Sequence, residues 1–341
     1  MGFLINPYNF AVVGPVGGWV ELGRTTLGAA AASITVSSLA NKRYYMILFD
    51  KLPSGNFSSF LRLGNGSVDS GSNYAFRTSQ NGGADGTTTS TSSITNSTAT
   101  SDADKTFSVM YVANYSSKEK LLINNTVSQE TAGAGTAPDR AETVGKWTNT
   151  SNVINLINSF DNGAGGNLNT GSEVVVLGWD PADTHTTNFW TELASVDWSS
   201  GGTIDSGTFT AKKYLWVQGW WKGNDSVYIR ANNDSASNYS WRYSSNGGAE
   251  GTATSISGFT HNFGFDSNIH FINMFIINNS ANEKLVISHT AIQNTAGAGN
   301  APIRFEAVSK WANTSSQITS LKFMTGSGNF TGGTIKVYGS N

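Results

Sequence analysis

Residues 129–147 read QETAGAGTAPDRAETVGKW, and residues 293–311 read QNTAGAGNAPIRFEAVSKW. Both strings open on a loop of small residues closed by Pro and end on an alternating segment. Residues two apart on a strand share a face. Arg140, Glu142, Val144 and Lys146 therefore line one side, and Ala141, Thr143, Gly145 and Trp147 the other. The Trp side is expected to face a core, leaving a charged row outside or between copies. The second string places Arg304, Glu306 and Lys310 at the matching positions. A single carboxylate with no partner carboxylate nearby does not describe a glycosidase pair. An ion-pair ladder of structural or interface character is the expected role of these six charged residues.

The repeat extends outward from these strings. NYAFRTSQNGGADGTTTSTS (73–92) returns as NYSWRYSSNGGAEGTATSIS (238–257), and residues 118–154 return as 282–318. KRYYMILFD (42–50) is echoed more weakly by KKYLWVQGW (212–220). The blocks are collinear, so one domain has been duplicated in tandem. The sequence divides into an arm at 1–17, a first repeat at 18–181 and a second at 182–341, with DPADTHTTN (180–188) as the join.

Charged residues are only 13% of the 341 and aromatics 11%. Polarity comes from Ser, Thr, Asn and Gly, which suit turns and exposed strand faces better than helix surfaces. In the first repeat, strands are expected near 19–25, 33–37, 43–50, 57–64, 74–79, 107–114, 120–129, 139–147, 152–160 and 173–179. Turn dipeptides such as Asn81-Gly82 and Asn246-Gly247 separate them. The expected fold is all-β, two tandem β-sandwich domains. Jelly-roll connectivity is the first choice, with other Greek-key arrangements left open.

The formal net charge is −2 and no Lys/Arg-rich run occurs, which argues against nucleic-acid binding. No apolar run reaches the roughly 20 residues needed to span a bilayer, so membrane insertion is not expected. There are no cysteines and the 4 histidines are scattered, without metal-ligand spacing. The TAGAG loops match neither the phosphate-binding GxxxxGK[ST] nor the dinucleotide GxGxxG pattern, and no GxSxG elbow is present. Asp85, Asp102 and Asp104 lack the DxDxDG frame of a calcium loop. No enzyme activity, cofactor or metal site is expected.

Two features remain. The stretch MGFLINPYNFAVVGPVG carries no charge and lacks the basic start of a secretory signal. Phe3, Leu4, Ile5, Tyr8 and Phe10 are expected to dock on another surface, as extended segments do at a sheet edge. The repeats also diverge in tryptophan. The first carries Trp19, Trp147 and Trp179; the second carries seven, including Trp220 and Trp221 where the first has Asp50 and Lys51. Alternation allows at most one of that pair into the sandwich. The other faces outward, as a platform for a sugar ring or a protein partner.

The phrases NYAxRxSxNGGAD, EKLxI, QxTAGAGxAPxRxExVxKWxNTS and SEVVVLGWDP resemble β-rich structural proteins of marine tailed phages and related environmental viruses. The resemblance spans both repeats and excludes the arm. It implies a capsid-surface, decoration or tail-fibre component, located in the virion and partnered by other virion proteins and by copies of itself. A carbohydrate-binding adhesin, recognising a host-surface glycan through Trp220 or Trp221, is the alternative reading.

Overall fold

Alternating apolar residues and Asn-Gly turns produce strands throughout. A computed structural model describes residues 18–97, 104–223, 226–260 and 268–341, and every named element among them is a β-strand. Phe3, Leu4, Ile5, Tyr8 and Phe10 of the expected arm lie outside the described residues.

The chain forms two compact units. The first comprises the described residues up to Ser128 together with Ala141–Trp190. The second comprises Gln129–Arg140 and Thr191–Asn341. The segment that opens the repeated string of the first copy thus belongs to the second unit.

The first half of the chain carries β1 (Val20–Thr26), β2 (Ser33–Val36), β3 (Tyr44–Lys51), β4 (Ser59–Asn65), β5 (Ser67–Val68), β6 (Tyr74–Gln80) and β7 (Gly86–Thr91). They are followed by β8 (Ile94–Thr95), β9 (Thr106–Ala113), β10 (Lys120–Ser128), β11 (Asp139–Trp147), β12 (Leu156–Asp161) and β13 (Glu173–Trp179). One sheet runs β1-β13-β3-β9-β10-β11-β6-β7, and the other runs β2-β12-β4-β5, with β8 beside β4. The last strands sit between the first ones: β13 lies between β1 and β3, and β12 between β2 and β4. That wrapping is the expected jelly-roll feature. All ten strands anticipated in the first repeat are present. The short β5 and β8 and the edge strand β7 were not foreseen. β7 reads GTTTST and is almost wholly exposed, so it has no apolar face to announce it.

The second half repeats this order with β14 (Thr191–Trp198), β15 (Thr203–Asp205), β16 (Tyr214–Gly223), β17 (Val227–Ala231), β18 (Tyr239–Ser245) and β19 (Gly251–Ile256). It continues through β20 (Phe259–Thr260), β21 (Asn268–Ile277), β22 (Lys284–Ile292), β23 (Ile303–Trp311), β24 (Leu321–Thr325) and β25 (Phe330–Ser340). Its sheets run β14-β25-β16-β21-β22-β23-β18-β19 and β15-β24-β17-β20. The β6–β7 and β18–β19 hairpins turn on Asn81-Gly82 (φ 48° and 65°) and Asn246-Gly247 (φ 53° and 69°). Left-handed φ at both positions matches the right-handed twist of the flanking strands.

Each unit encloses a main apolar core. In the first, Tyr45, Phe49, Leu61, Tyr74, Met110 and Trp147 come together; in the second, Leu215, Trp221, Ile229, Tyr239, Met274 and Trp311 do. The same polar device pins both cores. Trp147 Nε1 donates to Asp69 Oδ2 at 2.7 Å, and Trp311 Nε1 to Asp234 Oδ2 at 2.8 Å. The Tyr74 hydroxyl donates to the Asp69 carbonyl at 2.9 Å, and that of Tyr239 to the Asp234 carbonyl at 3.1 Å. A buried indole or phenol keeps its polar atom satisfied in this way.

The expected join, DPADTHTTN, is part of the first unit. Asp183 pairs with Lys42, His185 Nε2 lies 2.9 Å from the Gly18 carbonyl, and Trp190 is buried.

Candidate functional site

The outer face of β18 and β23 in the second unit is occupied by the Gln129–Arg140 segment. Lys310 points outward from β23 but is fully buried. Its Nζ donates to the carbonyls of Gln129 at 2.8 Å and Thr131 at 2.5 Å. Glu283 accepts the Gly133 amide at 2.6 Å. Ser240 Oγ donates to the Thr136 carbonyl at 2.9 Å, and Arg242 Nε to the Pro138 carbonyl at 2.8 Å. The Ser255 amide donates to the Ala134 carbonyl at 2.8 Å. Most of these bonds end on backbone groups of the segment, so they recognise its path more than its side chains.

The far end of the segment is locked by charge. Arg140 Nε and Nη2 both donate to Glu250 Oε1, at 2.9 and 2.6 Å, and Nη1 donates to Glu306 Oε2 at 3.1 Å. Arg242 donates to the second Glu250 oxygen at 3.3 Å and to Asp139 at 3.1 Å. Arg304 pairs with Glu306 at 3.2 Å. Arg140 and Glu250 are only 8% and 7% exposed. Such pairs are sheltered from the screening that weakens surface ion pairs. Among the described pairs, three arginines face three carboxylates.

This arrangement corrects one detail of the expected ladder. Arg304, Glu306 and Arg140 are paired, while Lys310 donates to backbone carbonyls of the polypeptide segment that lies over it. The same strand position in the first unit behaves differently. Lys146 is 42% exposed and pairs with Glu119 at 3.0 Å, while Glu142 is half-buried on the outer face of β11. Sequence reasoning grouped Arg77 and Arg242 with the charged rows but did not single out Glu250, Glu283 or Ser240 as partners. An available signal was the spacing shared by Arg77 and Asp85 with Arg242 and Glu250, an Arg and an acid facing each other across a hairpin in both copies.

The second candidate is aromatic. Inner positions of β16 carry Leu215, Val217 and Trp221; outer positions carry Trp216, Gln218, Trp220 and Lys222. Trp221 is 1% exposed and stacks on His270 at 5.3 Å, so it is a core residue and unavailable as a surface platform. Trp220 is 44% exposed, opposite Phe271, which is 40% exposed. On its other side Trp220 lies opposite Thr334, whose hydroxyl donates to Asp197 at 2.5 Å. Ile269 is exposed beside them, across from Lys222. Further along the same face Trp216 stacks on Phe275 at 5.4 Å and donates to Asn273 at 2.6 Å. The result is an exposed apolar platform bordered by hydroxyl, carboxylate, amide and ammonium groups.

Among the described residues, no group of three or more His, Asp or Glu side chains is placed to hold a metal ion. Asp85 pairs with Arg77 at 3.4 Å, and its counterpart Glu250 is engaged in the arginine network.

No family model matches the chain, and no curated protein matches it. Among solved structures, domains LG4-5 of the mouse laminin α1 chain align over 98% of this chain and 92% of that one, at 10% identity and a TM-score of 0.20. Human GIVD cytosolic phospholipase A2 aligns over 80% of this chain and 33% of that one, at 9% identity and a TM-score of 0.13. The attachment invasion locus protein Ail of Yersinia pestis, in complex with the heparin analogue sucrose octasulfate, aligns over 80% and 99%, at 6% identity and a TM-score of 0.13. None of these superpositions is close enough to transfer a function.

Proposed function

We propose that this chain is a non-enzymatic structural protein of a virus particle, a capsid-surface or tail-associated component that works by binding polypeptide. The observation that carries the reading is the role of the repeated polar residues. Lys310, Glu283, Arg242, Glu250 and Glu306 converge on a segment of main chain and its terminal arginine, not on a cavity suited to a small substrate. The resemblance of the repeated phrases to phage structural proteins supplies the particle. Residues 1–17, with Phe3, Leu4, Ile5, Tyr8 and Phe10, are its proposed docking arm. The test is to purify intact particles from the source and quantify this chain by mass spectrometry and immunogold labelling. A fixed copy number per particle, lost when residues 1–17 are deleted, is expected. Absence from washed particles overturns the proposal.

A second reading, recognition of a host-surface glycan, is favoured by the Trp220–Phe271 platform. A flat exposed ring beside hydroxyl and carboxylate groups suits the apolar face and hydroxyl rim of a sugar. Trp220→Ala is the variant to compare with wild type on a glycan array, because the ring is half-exposed and its removal leaves the core intact. Glycan retention lost in Trp220→Ala supports this reading; no retention by the wild type removes it.

A further inference from the structure

The two TAGAG loops have one conformation and two environments. Glu130 and Gly133 have φ of 57° and 90°, and the matching Asn294 and Gly297 have 63° and 89°. In the first loop Gln129, Ala137, Pro138, Asp139 and Arg140 are buried in the second unit. In the second loop every residue from Thr295 to Pro302 is exposed, and the Arg304 side chain is 62% exposed. The second loop is therefore preformed in the docked shape and left exposed.

The surface that such a loop fits occurs twice as well. Lys310, Glu283, Arg242, Glu250 and Glu306 hold the first loop in the second unit. Lys146, Glu119, Arg77, Asp85 and Glu142 hold the same sequence positions in the first. There four of them are turned on each other: Lys146 to Glu119 at 3.0 Å and Arg77 to Asp85 at 3.4 Å, in exposed pairs that contribute little and exchange readily. The apolar row between them differs most. In the second unit Leu285, Ile287 and Val308 are 2%, 3% and 1% exposed. Their counterparts Leu121, Ile123 and Val144 are 58%, 56% and 49% exposed. They floor a groove of about 480 Å³, edged by Ala75, Arg77 and Lys146.

We propose that this groove of the first unit binds the 293–304 loop of a second copy of the chain, joining molecules head to tail. The contact repeats one the chain already makes. The carbonyls to which Lys310, Ser240 and Arg242 donate belong to Gln129, Thr131, Thr136 and Pro138. As main-chain groups, they are supplied equally by Gln293, Thr295, Asn300 and Pro302. Arg304 stands for Arg140, toward Asp85 and Glu142. Two contacts are missing: Ala75 replaces Ser240, and Ile303 replaces Asp139. The intermolecular version also has to overcome the loss of translational freedom. It is accordingly weaker than the contact within the chain and dependent on concentration. Each copy carries one loop and one groove, so the contact is heterologous and builds rings or filaments. It does not depend on whether the chain is a particle component.

The experiment is light scattering on the full chain over a concentration series, with Ile123→Asp to disable the groove and Ala298→Trp to disable the loop. Both sites are exposed, and far-ultraviolet circular dichroism checks that each variant folds as the wild type does. The wild type is expected to grow in mass with concentration, and each variant alone to remain at the 36.2 kDa monomer. Mixed, the two variants are expected to form a 1:1 dimer and nothing larger, since Ile123→Asp keeps a working loop and Ala298→Trp a working groove. A wild type monomeric up to its solubility limit overturns the proposal. So does assembly unchanged in both variants, which would assign self-association to another surface such as residues 1–17. A folded mixture that gives no dimer overturns it too.

Discussion

Replacing Lys51 with methionine isolates a charge that the first core holds against its own chemistry. Lys51 sits on the inner side of β3, 1% exposed, with Nζ donating to Ser59 Oγ at 2.8 Å and to the Asn96 carbonyl at 2.7 Å. Burial pushes its pKa from 10.5 down to about 7. In the unfolded chain the amine keeps its proton up to about pH 10. Between pH 7 and 10 the unfolded state therefore binds more protons than the folded one, and stability rises with pH. The limiting slope is about 1.4 kcal/mol per pH unit, or about 3 kcal/mol between pH 7 and 9.5. Above pH 10 the gain ends: burial holds the phenols of Tyr45, Tyr74 and Tyr239 above their ordinary pKa. The unfolded state then loses protons first, and stability falls. Lys51→Met keeps the aliphatic stem and removes the titration. Ser59 Oγ retains its bond to Asn96 Oδ1 at 2.6 Å, while the Asn96 carbonyl loses a donor at a cost of about 1 kcal/mol at every pH. Urea unfolding of both proteins at pH 7, 8, 9 and 9.5 measures the slope. The wild-type midpoint should climb across the series clearly more steeply than the Lys51→Met midpoint, which keeps only the smaller rise due to Lys120, whose pKa burial also lowers. A flat wild type, or a variant that climbs just as steeply, refutes the assignment to Lys51.

Other outcomes follow from the same geometry. Arg140→Met leaves Glu250 and Glu306 facing each other with one fewer cation, and should lower the stability of the second unit by about 3 kcal/mol, read as a shift in its urea transition. Trp221→Ala should destabilise by about 3–5 kcal/mol through the cavity it opens, whereas Trp220→Ala should stay within about 0.5 kcal/mol by thermal unfolding. Burial opposes ionisation of Asp69 and Asp234, but hydrogen bonds from Trp147 and Asn73, and from Asn238 and Trp311, outweigh it and hold both carboxyls below their ordinary pKa. Their contribution is complete above the unfolded carboxylate pKa and is lost as pH falls through the lower folded value. Asp69→Asn combined with Asp234→Asn should therefore shrink the acid-induced drop in melting temperature.

Much of the architecture was legible because it rests on local rules. Alternation placed Trp147 inward and forced Trp220 and Trp221 onto opposite faces. Asn-Gly marked the two hairpins, and collinear echoes marked the duplication. What escaped the sequence depends on long-range partners. β7 has no apolar face, so only its pairing with β6 makes it a strand. Lys51 reads as a surface residue by type, yet the position aligned with it is Trp221, a core residue. Burying a lysine there required Ser59 and Asn96, which nothing in KRYYMILFDK identifies. The charged rows of β11 and β23 were equally readable as rows, but not their different fates. Lys146 and Lys310 occupy closely similar local contexts, V-G-K-W and V-S-K-W, and the covering segment distinguishes an exposed ammonium from a buried one.

That difference bears on why the duplicated loops stayed so similar. A loop that served only to connect β10 to β11, or β22 to β23, would be free to drift, since surface connections tolerate change. The first loop is constrained because its backbone must present carbonyls to Lys310, Ser240 and Arg242 at fixed positions. Among the described residues of its own unit no such partner meets the second loop, yet it retains TAGAG, the left-handed Asn294 and Gly297, the Pro and the Arg. The groove of the first unit likewise retains Lys146, Glu119, Arg77 and an acid at 85, around three apolar side chains that are half-exposed or more. A loop with no groove and a groove with no loop, each still carrying its half of one interface, are mutually explained by a neighbouring copy. If only one half answered to that contact, the mixed-variant experiment would give no dimer, and the similarity of the loops would need a separate cause.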